Sequence, residues 1–126
     1  MKYVMFVLMM FICGHANAHQ WTPTYPVLKQ SFVPNIFVTT MELFNSRNDV
    51  EFYEISVLDK DMDPVPFATP ERIIKVKYTN KKRVEVYIRE KDLGTAVYVC
   101  TTSKLLTQET TATSVSSRIC SKFKMM

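Results

Sequence analysis

The feature that most constrains this chain is side-chain alternation. Beyond residue 20 no window sustains apolar residues at i, i+3 and i+4, whereas short runs of period two recur to the C-terminal end. Val84, Val86 and Ile88 alternate with Glu85, Tyr87 and Arg89. Ile74, Val76 and Tyr78 alternate with Lys75 and Lys77. Tyr53, Ile55 and Val57 share one face of 50–58, and Met41 and Leu43 one face of 36–44. Residues 96–102 and 116–125 read as two further strands. Strands patterned this way have one buried and one wet face, as in two packed antiparallel sheets. About seven of them in about 100 residues predict an all-β, immunoglobulin-like sandwich.

The connections follow from breaker residues. Asp59-Lys60-Asp61-Met62-Asp63-Pro64 reads as a loop. Thr79-Asn80-Lys81-Lys82 is expected to turn the chain, which puts the basic cluster Lys81-Lys82-Arg83 in a turn. Leu105–Ser117, rich in Thr and Ser, reads as an exposed hairpin loop. Residues 19–34 carry Trp21, Pro23, Pro26 and Pro34. Proline donates nothing to a ladder, so this stretch is expected as an edge strand or an extended lead-in, with Val27-Leu28 and Phe32-Val33 still able to pair.

The N-terminus reads as an address. Lys2 precedes an apolar run, Tyr3 to Ile12, and Ala16-Asn17-Ala18 places small residues where a signal peptidase reads. Residues 1–18 are therefore expected to be a secretory signal peptide, cleaved between Ala18 and His19, with the domain over 19–126. The run is too short for a membrane span, which needs roughly 20 residues. Phe11-Ile12 before Cys13 does not match the small residues that precede a lipid-modified cysteine. Export leaves Cys100 and Cys120, which are expected to form one disulfide in a periplasmic or secreted protein.

Several function classes lack their residues. The net charge of +4 is mild and its basic residues are interleaved with acids along most of the chain, so no nucleic-acid partner is expected. His19 is the only histidine after the signal, and it is expected as a frayed polar terminus; an N-terminal histidine can bind copper, but no second histidine completes a site. Asp59, Asp61 and Asp63 lack the glycine of a calcium loop and read as a solvated acidic turn. No histidine is placed by the sequence to activate a serine or threonine, and no carboxylate pair stands out. Neither catalysis nor a cofactor is expected. Trp21, Tyr53 and Tyr87 are expected in packing ahead of an exposed binding patch.

Residues 38–102 resemble, in the order of their segments, the N-terminal domain of PapD-like periplasmic pilus chaperones. Thr40-Met41-Glu42-Leu43-Phe44-Asn45 resembles that domain's second strand, and Tyr53-Glu54-Ile55-Ser56-Val57 its third. Ala68-Thr69-Pro70 followed by Arg72-Ile73-Ile74-Lys75-Val76 resembles its passage from prolines into an apolar strand. Lys82–Ile88 and Ala96–Cys100 resemble the strands after it. Arg118 falls where the family's last strand carries a lysine that anchors its client. Gly94–Cys100 is also similar to the Tyr-x-Cys strand of variable-type immunoglobulin domains, which implies that the Tyr98 hydroxyl ties down a corner.

Together these readings imply an exported, non-enzymatic, chaperone-like domain, an accessory of a pilus, secretion or conjugation apparatus. It would hold a protein partner by edge-strand pairing. The last strand is the expected edge: Arg118, Ile119, Ser121, Lys122, Phe123 and Lys124, with Ile119, Ser121 and Phe123 on one face and Cys120, Lys122 and Lys124 on the other. The alternative is a structural subunit of a surface or virion assembly. A third reading is a basic surface that binds anionic glycans through Arg118, Lys122 and Lys124.

Overall fold

The computed structural model describes residues 19–104 and 116–124. The signal peptide expected over 1–18, Ala18 included, lies outside the described residues, as does most of the Thr/Ser tract, 105–115. Eight strands form: β1 Gln20–Thr22, β2 Lys29–Gln30, β3 Ile36–Phe44, β4 Phe52–Leu58, β5 Ile73–Lys75, β6 Lys81–Arg89, β7 Tyr98–Lys104 and β8 Arg118–Lys122. In one sheet β3 lies between β6 and the short strands β1 and β2, which share its other side. The second sheet has the order β5-β4-β7-β8. Every strand pairing is antiparallel, and the result is an all-β sandwich.

Alternation selects the core. Met41, Leu43, Val84, Val86 and Ile88 from one sheet meet Tyr53, Ile55, Val57, Ile74 and Val99 from the other. Trp21 and Phe123 also join it. Tyr78, expected to share the face of Ile74 and Val76, is exposed, because β5 ends at Lys75 and the chain turns. The turn comes earlier than the sequence suggests. Thr79 takes a left-handed φ of 68°. Its N–H donates to the Asn45 carbonyl, while the Asn80 N–H donates to Lys77. Lys81, Lys82 and Arg83 are therefore strand residues of β6 and not turn residues.

Each side of the sandwich is closed by a segment that visits both sheets. On one side, β1 pairs with β3, and the chain passes a cis Thr22–Pro23 bond to the second sheet. There Thr24 and Pro26 accept from the Lys122 and Lys124 N–H groups, after which the chain returns as β2. On the other side, the Val65 N–H donates to Val57 of β4. Ala68 then exchanges two hydrogen bonds with Tyr87 of β6, and β5 rejoins β4. These two stretches hold Pro23, Pro26, Pro64, Pro66 and Pro70. A residue that cannot donate interrupts a ladder, and the sheet changes fall where the prolines stand.

Candidate functional site

The expected edge, β8, can be read from its hydrogen-bond parity. In an antiparallel pair only alternate residues bond to the neighbouring strand. The Ser103 N–H donates to Ser117, and the Phe123 N–H donates to Val97. The same parity and register turn Ile119 and Ser121 toward β7. Arg118, Cys120, Lys122 and Lys124 turn their backbone groups outward. The open edge is narrower than the sequence suggests. The Lys122 and Lys124 N–H groups are taken by Thr24 and Pro26, at 3.1 and 2.9 Å. Arg118 and Cys120 keep outward backbone groups with no partner among the described residues. The side chains divide much as the alternation predicts. Ser121 and Phe123 are buried and Ile119 is half-buried, while Arg118, Lys122 and Lys124 are exposed.

Cys100 and Cys120 are joined by a disulfide that ties β8 to β7. They sit directly opposite one another in a non-hydrogen-bonded pair, where Cα atoms approach most closely, here 4.1 Å. The Tyr98 hydroxyl makes no hydrogen bond among the described residues, so the corner implied by the immunoglobulin resemblance is not formed by it. Trp21 does the anchoring instead: its indole N–H crosses the core to the Val99 carbonyl at 3.1 Å.

A buried polar cluster that the sequence reading missed fills one end of the sandwich. His19 is not a frayed terminus; it is 2 % exposed. Its Nε2 lies 2.8 Å from the Thr101 hydroxyl and its Nδ1 3.3 Å from that of Ser117. The ring packs on Tyr53 with centroids 4.6 Å apart. Tyr53 donates to Asn45 Oδ1 at 2.6 Å, and that oxygen also accepts from the Arg47 N–H. The Asn45 amide donates to the carbonyls of Val50 and Val76. Arg47, only 9 % exposed, holds Asp49 with two hydrogen bonds and reaches the Ser103 hydroxyl. Among the described residues no buried side-chain nitrogen or oxygen lacks a partner.

The electrostatics follow from burial. Desolvation lowers the His19 pKa to about 4, with the nearby Arg47 charge acting the same way against a hydrogen bond at Thr101. The imidazole is therefore neutral at pH 7. Burial also raises the Tyr53 hydroxyl to about 12. The Arg47 hydrogen bonds hold the Asp49 carboxyl below its ordinary value. Histidine does meet serine here, contrary to expectation. Yet the ring is enclosed and faces two hydroxyls without a carboxylate partner, so what it supplies is a satisfied, rigid end to the sandwich.

The acidic loop is also structural. Asp59 Oδ1 accepts from the N–H groups of Asp61 and Asp63, and Met62 takes a φ of 65°. Among the described residues no three His, Cys, Asp or Glu side chains gather into a group that could hold a metal ion. No helix of the described residues is long and apolar enough to cross a membrane. No family model matches this chain, and no curated protein matches it.

Proposed function

We propose that this is an exported, non-enzymatic protein-binding domain that holds an extended segment of its partner by edge-strand pairing, as the PapD-like resemblance implies. The observation that carries the reading is the outward backbone of Arg118 and Cys120. They form a stretch of strand edge beside a segment, 24–26, that already pairs with the same strand. A partner strand laid along β8 would continue that segment's hydrogen bonding. The disulfide pins β8 to its neighbour, so the edge is presented without the ordering cost of a loose strand.

Arg118→Pro tests it. The substitution removes one outward donor and the exposed bond from Arg118 Nε to the Thr102 hydroxyl, but none of the backbone hydrogen bonds to β7. Its melting temperature should stay within a few degrees of the parent, while capture of the periplasmic partner falls about tenfold or more. A folded Arg118→Pro domain with unchanged affinity contradicts the reading. Permanent incorporation of the domain into purified particles would favour a structural subunit.

A further inference from the structure

A second stretch of open edge lies on the opposite side of the sandwich, in β6. Its parity is fixed at both ends: the Asn80 carbonyl accepts from Asn45, and the Glu90 N–H donates to Asn35. Even-numbered residues of β6 therefore bond to β3, and odd-numbered ones turn outward. Tyr87 confirms this, because its outward groups exchange two bonds with Ala68. At Glu85 the cover thins to one contact, from the Thr69 hydroxyl to the Glu85 carbonyl at 2.8 Å. At Arg83 and Lys81 the outward N–H and C=O groups have no partner among the described residues. The chain has left for β5, and Pro70 stands at the departure.

The departure leaves a groove of about 430 Å³ between Thr69–Glu71 and residues 82–85 of β6. Ile74 and Val84 line its apolar floor. Its rim is basic. Lys82 pairs with Glu71 at 3.2 Å, and Lys81 reaches Glu42 at 4.0 Å. Arg83 is exposed and has no carboxylate within ion-pair distance among the described residues. Lys81 and Arg83 share the solvent face of the sheet, two residues apart. Cross-strand neighbours on one face are the pairs that interact.

We infer that this notch is a second peptide-binding site, which takes an extended acidic segment of a partner protein as an added strand beside β6. Strand addition, the reading given above for β8, is assumed here at a different edge. The segment runs antiparallel to β6, in line with the Ala68 bridge. It bonds to the outward groups of Arg83 and Lys81 and places carboxylates at alternate positions, opposite those two side chains. Glu85 limits the acidic pattern at the covered end. A second copy of β6 does not fit, because its strand would run into Thr69 and Ala68 before its own glutamate met Arg83.

The test titrates the whole domain with a short blocked peptide of alternating Glu and Val, and with its Lys and Val counterpart, following backbone amide signals by NMR. The acidic peptide should shift the amides of Lys81, Arg83 and Glu85, and slow hydrogen exchange at Arg83. Its affinity should fall about tenfold in Arg83→Glu, which in turn should favour the basic peptide. Arg83→Pro should abolish the acidic peptide's shifts at Lys81 and Glu85, whereas Arg118→Pro should leave them intact. Equal binding of both peptides overturns the inference, as does binding only at Arg118 and Cys120, or no binding at millimolar peptide. In the last case the basic residues merely blunt the edge. A loss of partner capture in Arg118→Pro alone would leave β8 pairing standing without the notch.

Discussion

His19 carries the sharpest consequence of the buried cluster. Its folded pKa of about 4 lies below its ordinary 6.5, so the fold favours the neutral ring. The stabilisation this gives is complete above pH 6.5 and is lost as pH falls from there toward about 4. Denaturant midpoints should drop through that window in the parent. They should change much less in His19→Phe, which keeps the ring contact with Tyr53 but cannot be protonated; an unchanged slope would place the acid sensitivity elsewhere. Asn45 is the hub of the same cluster, fully buried, with both side-chain atoms occupied. Asn45→Ala strands the Tyr53 hydroxyl, the Arg47 N–H and two carbonyls, and should cost about 3 kcal/mol or more in chemical denaturation. None of this was legible in the sequence. Residues 19, 45, 47, 53, 101, 103 and 117 are brought together only by tertiary pairing, and a lone histidine beside an expected cleavage position carries no periodic cue.

Strands were far more legible than edges. Alternation located β3, β4, β6, β7 and β8 and chose the buried faces of all but β7, because one face of each strand must meet the core. It misplaced Lys81–Arg83, since a left-handed Thr79 closes the turn two residues sooner than the polar run suggests. It also overestimated the open part of β8. Pairing of 24–26 with Lys122 and Lys124 depends on how a proline-broken segment crosses between sheets, and composition does not encode that. The Cys100–Cys120 disulfide acts at this scale. It closes a loop with a sequence separation of 20, for which chain entropy gives about 3 kcal/mol. Reduction should lower stability by about that amount and speed amide exchange in β8 before β3 or β4; the same exchange in both states would mean that β8 is held by its ladder alone.

At the scale of the whole molecule, the sandwich is closed on both sides by segments that alternate between its sheets. That arrangement protects much edge backbone and leaves Arg118–Cys120 and Lys81–Glu85, with the outer side of β5, among the open stretches of the described residues. The disulfide is compatible with the export that the N-terminal reading predicts. The proposal of an exported domain that binds extended partners rests on these open strand edges. The most direct test is residue-resolved hydrogen exchange on the folded domain, alone and then with its captured partner. Alone, the Lys122, Lys124 and Tyr87 amides should be protected, with Arg118, Cys120 and Arg83 exchanging orders of magnitude faster. With partner, Arg118 and Cys120 should become protected. Strong protection of those two amides in the free domain, or none on partner binding, would contradict edge-strand pairing.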